Sequence, residues 1–142
     1  MSILLVDDDL NDSTFFKIAV HKSTLPISLQ TVMDGGLAID YLEGRCDYAD
    51  RGLYPLPDVV VLDLAMQLTG GLEFLEWRRA SASFSSLPVI IFSGFAYRGA
   101  IDAALAMGAN GFIEKPFELE GWTPVIRQIW GFATECLEST QA

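Results

Sequence analysis

The chain is predicted to form an α/β domain, a five-stranded parallel sheet with helices on both faces. Three observations lead there. Five apolar runs, residues 2–6, 27–33, 58–62, 87–92 and 110–114, are rich in Ile, Leu and Val, as strands covered on both faces should be. Segments with helical spacing separate them, and strict βα alternation favours a parallel sheet. Four short polar signatures each follow an apolar run, at the carboxyl edge where open sheets of this kind bind ligands. With 142 residues, about half of them apolar, there is enough chain for one domain and one continuous core.

The elements follow in order. Ile3-Leu4-Leu5-Val6 runs into Asp7-Asp8-Asp9, and Phe15, Ile18 and Ala19 mark a first helix that Asp9 or Asn11 can cap. Run 27–33 leads through Asp34-Gly35 to a second helix marked by Leu37, Ile39 and Leu42. Residues 44–57 then make a longer connection than the usual few residues. Val59-Val60-Val61-Leu62 ends at Asp63, and after Gly70-Gly71 come Leu72, Phe74, Leu75 and Trp77 of a third helix. Val89-Ile90-Ile91-Phe92 ends at Ser93, and Ile101, Ala104 and Leu105 mark a fourth helix stopped by Gly108. Gly111-Phe112-Ile113-Glu114 ends at Lys115. The last helix runs from about Thr123, with Pro124 suited to its first position, to about Glu138. It carries Trp122, Val125, Ile126, Ile129, Trp130, Phe132, Ala133, Cys136 and Leu137, more apolar side chains than one buried stripe needs.

Nineteen acids against nine bases give a net charge of −10. Nucleic-acid binding begins with phosphate neutralisation, so no nucleic acid is expected as partner. Anionic membranes are disfavoured too, and basic protein patches are favoured. No run approaches the length that spans a bilayer, and Met1-Ser2 enters the first apolar run without a charged leader. Cys46 and Cys136 lack metal-like spacing and suit a reducing compartment. A cytoplasmic protein without a signal peptide is expected.

Each signature has a plain structural reading. Asp7-Asp8-Asp9 can be a turn or helix cap, Asp63 a cap before Gly70-Gly71, Ser93 a turn residue and Lys115 a solvated surface group. His21 is read as an ordinary helix-surface residue. Together the signatures read differently. Adjacent carboxylates repel unless a cation or proton joins them, and with Asp63 they suit a hard, oxygen-preferring cation such as magnesium. Asp63 can then serve as a carboxylate nucleophile for a phosphoryl group. An ammonium at Lys115 and a hydroxyl at Ser93 can neutralise and bond the phosphoryl oxygens. The Lys115–Pro116 bond is a candidate cis peptide.

The whole chain resembles the receiver domain of two-component response regulators. The resemblance rests on Val6-Asp7-Asp8-Asp9, on Leu62-Asp63-Leu64-Ala65-Met66 with Gly71, on Phe92-Ser93-Gly94, and on Gly108-Ala109-Asn110-Gly111 with Lys115-Pro116-Phe117, all in order. It implies a (βα)5 doubly wound sheet of flavodoxin-like order 2-1-3-4-5, with residues 1–142 a single receiver domain and no output domain. It makes Asp63 the phosphoacceptor, served by a histidine kinase and by Mg2+ (or Mn2+). Asp8, Asp63 and the Ala65 backbone carbonyl would bind the metal directly, and Asp7 through water. Lys115 would pair with the acceptor and then with the phosphoryl group. Ser93 would rotate inward to bond that group, and Phe112 would follow as the aromatic switch. The face made by the fourth helix, fifth strand and fifth helix would then change its partner preference. The long insert and apolar last helix look like the single-domain regulators that partner bacterial phytochromes.

Some positions depart from the family. Gln67 replaces the usual proline after Met66, and Ala65 and Phe95 put apolar side chains at the two variable positions flanking the phosphoryl site. This pair is expected to set part of the lifetime of the phosphorylated state. Two other readings are open: a receiver-like interaction module that does not use phosphorylation, and a phosphatase with Asp63 as nucleophile. The latter lacks a second Asp two residues on, where Ala65 stands. The apolar excess of the last helix further predicts a homodimer through that helix, using Trp130 or Phe132, unless it covers the long insert.

Overall fold

The structure, a computed structural model, describes residues 1–65, 70–94 and 98–141. In chain order the elements are β1 (Ser2–Val6), α1 (Leu10–Ser23), β2 (Ser28–Val32), α2 (Gly35–Glu43), β3 (Val59–Leu62), α3 (Gly71–Ala80), β4 (Val89–Ser93), α4 (Arg98–Ala106), β5 (Gly111–Glu114) and α5 (Trp122–Gln141). Short 3-10 turns lie at Cys46–Ala49 and Leu119–Gly121. The five strands are parallel in the order β2-β1-β3-β4-β5, as the sequence predicts. The chain order reverses between β1 and β3, the place where such sheets open a crevice.

Alternate strand residues feed two cores. Leu4, Val6, Val60, Leu62, Val89 and Ile91 face α2, α3 and α4. Ile3, Leu5, Val59, Val61, Ile90 and Phe92 face α1 and α5. All twelve are essentially inaccessible, so the central strands β1, β3 and β4 are apolar on both faces, as their near-continuous runs require. On the second face Trp122 packs edge-on against both Phe15 and Phe92, with ring centroids 5.7 and 5.5 Å apart.

Several sequence expectations are corrected. In α1 the buried stripe is Phe16, Ala19 and Ser23, and Ile18 is 47% exposed. The stripe thus runs one turn-step away from the set Phe15, Ile18 and Ala19. In α4 Ile101 and Ala104 are buried and Leu105 is exposed. Helix α5 begins at Trp122, so Pro124 is its third residue. Its missing N–H is still one of those without an intrahelical partner. The Lys115–Pro116 bond is trans, and Lys115 reaches the site from that geometry.

The long insert does not lean on α5. It folds back on α2, where the rings of Tyr41, Tyr48 and Tyr54 meet with centroids 5.1–6.0 Å apart. Tyr41 donates its hydroxyl to the Pro55 carbonyl. The Arg51 guanidinium donates to the carbonyls of Tyr41, Leu42 and Tyr54, capping the end of α2. The apolar excess of α5 goes elsewhere. Val125, Ile126, Ile129 and Ala133 are buried, and the Phe132 ring covers Gly111, where a Cβ would lie 2.5 Å from its tip.

Candidate phosphoryl-acceptor site

Backbone pairing delivers the site residues to one edge. Val6 and Leu62 are register partners, so Asp7 and Asp63 leave adjacent strand ends side by side. The Asp7 N–H donates to the Val32 carbonyl and the Asp63 N–H to the Val6 carbonyl. Ser93 closes β4 opposite Glu114, and the Lys115 N–H donates to the Ser93 carbonyl at 3.0 Å. Asp9 caps α1, accepting from the Asp12 N–H at 3.0 Å, while its own N–H donates to Asp7 Oδ1 at 2.9 Å. The triplet of aspartates is therefore divided: Asp9 serves the helix, and Asp7 and Asp8 serve the site.

Asp63 is the centre of the cluster. Its Oδ1 accepts from Ser93 Oγ at 3.0 Å and from the Ala65 N–H at 3.2 Å, and its Oδ2 accepts from Lys115 Nζ at 3.2 Å. Ser93 is fully buried, and Asp7 and Asp63 are nearly so. Ligand oxygens of Asp7, Asp8 and Asp63 lie within 4.8 Å of one another, with Asp8 at the half-exposed rim. Three carboxylates this close form a hard-oxygen donor set that fits a divalent cation. An open cavity of about 310 Å³ is lined by Asp8, Asp12, Asp63, Ala65, Ser93 and Lys115.

Of the residues singled out by sequence, the structure brings Asp7, Asp8, Asp63, Ala65, Ser93 and Lys115 together. Phe112 lies apart, half-buried between β5 and α4 beside Arg98, Ile101 and Leu105. The Ser93 hydroxyl is turned towards Asp63, to whose Oδ1 it donates. Met66, Gln67 and Phe95 lie outside the described residues. Asp12 was missed by the sequence reading, although it places a carboxylate oxygen 2.8 Å from Lys115 Nζ. The signal available was an acid in the first turn of α1, which the helix dipole alone explains.

Charge balance governs the site. Burial pushes the Asp7 carboxyl up to about 6, partly opposed by the charge and hydrogen bond of Lys115. Burial works against the Lys115 ammonium, but Asp7, Asp12 and Asp63 outweigh it and drive its pKa above the ordinary lysine value. For an acid whose pKa is higher in the folded state, the folded form binds more protons in the intervening window. Metal-free protein is thus expected to lose stability as pH rises from about 4 to about 6. Urea midpoints across that range check this, and Asp7→Asn should flatten the profile there.

Comparison with known proteins agrees with the geometry. The family model "response regulator receiver domain" matches residues 3–127. The solved structure of RPA3017, a response regulator in red light signalling of R. palustris, superposes with a TM-score of 0.85 at 29% identity, covering 92% of each chain. The phosphorylated cyanobacterial phytochrome response regulator RcpA superposes with a TM-score of 0.82 at 27% identity, covering 94% of this chain and 93% of that one. The protein-glutamate methylesterase/protein-glutamine glutaminase of Treponema pallidum is 36% identical over 123 residues, 84% of this chain and 27% of its own length. The first curated relatives matched are longer proteins, of which this chain spans about half or less.

Proposed function

The chain belongs to the response regulator receiver domain family, and from that premise we propose that Asp63 accepts a phosphoryl group from a histidine kinase. The observation that carries this reading is the pair of bonds on its carboxylate, Ser93 Oγ on one oxygen and Lys115 Nζ on the other. In the transfer an Asp63 oxygen bonds to phosphorus as the phosphohistidine P–N bond breaks. The imidazole keeps the electron pair, and an acyl phosphate forms. Lys115 then gives a donor to a phosphoryl oxygen and Ser93 moves its hydrogen bond to another, so new charge meets groups already in place. A divalent cation, Mg2+ or Mn2+, held by Asp7, Asp8, Asp63 and the Ala65 carbonyl, supplies further neutralisation when bound.

Output is proposed to run through Phe112, which lines a cavity with Arg98, Ile101 and Leu105 of α4. Coupling of about 1–3 kcal/mol suffices for such a switch. The kinase is of the phytochrome type in this reading, supported by the likeness to RcpA and RPA3017. Phe117 (96% exposed), Leu10 and Leu119 follow Lys115 and Asp8 in the chain and present apolar side chains to solvent. Self-association through α5 would use Trp130, since Phe132 is occupied with Gly111. The protein works in the cytoplasm in this scheme. Among the described residues no helix is long and apolar enough to cross a membrane.

Intact mass after incubation with acetyl phosphate tests the proposal. One phosphoryl adduct is expected with Mg2+, none without it, and none in Asp63→Asn. An adduct that persists in Asp63→Asn would move the acceptor elsewhere. Magnesium binding without any adduct would favour a module that works without phosphorylation, provided a cognate kinase also fails to phosphorylate it.

A further inference from the structure

The Lys115 ammonium has three N–H donors, and three carboxylates take them. Asp7 Oδ2 and Asp12 Oδ2 each lie at 2.8 Å, and Asp63 Oδ2 at 3.2 Å. The bond to the acceptor is the longest of the three. Asp12 is outside the three-carboxylate set that fits a cation, yet it lines the same cavity. Its place is fixed, because its own N–H donates to the capping carboxylate of Asp9. Its side chain is 25% exposed, against 1% for Asp7. It is the member of the trio that the fold does not need to bury.

We propose that Asp12 is a positioning residue that tethers Lys115 to α1 and opposes phosphorylation of Asp63. The inference rests on Asp63 being the acceptor. A phosphoryl group brings a charge of about −1.5 to −2 and needs the donor that now points to Asp63. Asp12 acts against it twice: it competes for the ammonium as a charge-assisted acceptor, and it repels the incoming oxygens. Both effects have the same sign. Asp12 thereby links the start of α1 to the state of the acceptor through one ammonium.

The test compares wild type, Asp12→Asn and Asp12→Glu at saturating Mg2+, following intact mass with time at saturating acetyl phosphate. In each, the P–O bond to acetate breaks, acetate leaves with the electron pair, and the Asp63–phosphorus linkage forms. Asp12→Asn keeps an acceptor and loses the charge, so its maximal rate should rise about three- to fivefold. Asp12→Glu keeps the charge and should stay within about twofold of wild type, with all three melting alike. A purely structural Asp12 would not separate Asn from Glu in this way. Asp12→Asn at or below the wild-type rate, or Asp12→Glu as fast as Asp12→Asn, overturns the tether while leaving the acceptor in place. A wild type that forms no adduct overturns the acceptor reading itself, and the tether with it.

Discussion

Replacing Arg78 by methionine is expected to cost about 3 kcal/mol of folding stability, while leaving Asp7, Asp8, Asp63, Ser93 and Lys115 in place. Arg78 is 4% exposed, and burial holds its guanidinium below the ordinary arginine value. Its Nε and Nη2 donate to the Leu87 carbonyl at 2.8 and 2.6 Å, Nη1 to the Gly108 carbonyl and Nη2 to Asn110 Oδ1, both at 3.2 Å. Asn110 Oδ1 also accepts from the Val89 N–H. One cation therefore ties α3 to the segment entering β4 and to the turn entering β5, and all its acceptors are neutral. Methionine fills similar length but removes the Arg78 donors from the Leu87 and Gly108 carbonyls, at about 1–3 kcal/mol for each that stays buried and unpaired. Relief of the buried charge offsets part of the loss. A domain of this size holds about 5–15 kcal/mol in total, so the shift in urea midpoint should be large. Lysine offers a point charge and cannot span both carbonyls, so Arg78→Lys should recover only part. A midpoint within about 0.5 kcal/mol of wild type would show that solvent takes over the freed carbonyls.

Lys115→Met should cost about 3 kcal/mol at pH 7 in metal-free protein, a loss that Mg2+ or mild acid largely repairs. Lys115 is bonded to Asp7, Asp12 and Asp63, and Asp8 adds a fourth carboxylate nearby. Without the ammonium, the nearly inaccessible Asp7 and Asp63 face each other uncompensated. Losing the Lys115 charge and hydrogen bond leaves burial unopposed at the Asp7 carboxyl, so the folded state takes up more protons than the unfolded one, and stability falls more steeply with rising pH. Urea titrations at pH 5 and pH 7, each with and without Mg2+, measure this. Added Mg2+ should stabilise the variant more than wild type by mass action on a more negative site. If the pH 7 loss is below about 1 kcal/mol, or Mg2+ helps both proteins equally, Lys115 is not what holds the acids together. Adduct formation should fall in the variant even when the fold is restored, because the phosphoryl oxygen loses its cation.

Much of the architecture was legible because strand period and chain order are local properties. Runs such as Val59-Val60-Val61-Leu62 can satisfy both faces only inside a covered parallel sheet, and the structure places them there. The helix faces were less legible. Phe15, Phe16, Ile18 and Ala19 are crowded together, and a stripe through Phe15 reads almost as well as one through Phe16. Packing against Phe92, whose ring lies 5.8 Å from Phe16, decides the matter.

By itself the sequence determined the strand set and the residues that end each strand: Asp7 and Asp8, Asp63, Ser93 and Lys115. These follow from apolar runs and the polar residues that stop them, which need no knowledge of distant partners. Tertiary structure alone decided the rest. Asp12 joins the site because the Lys115 side chain reaches across from the end of β5 to the first turn of α1, 103 residues away in the chain. Arg78 is buried because the segment entering β4 and the turn entering β5 bring oxygens around it, and Arg51 caps α2 because the insert folds back. Each of these is a charged side chain on a helix or loop, which in sequence looks like a solvated surface group. Its role depends on which oxygens the fold brings within about 3 Å, a distance no local pattern encodes.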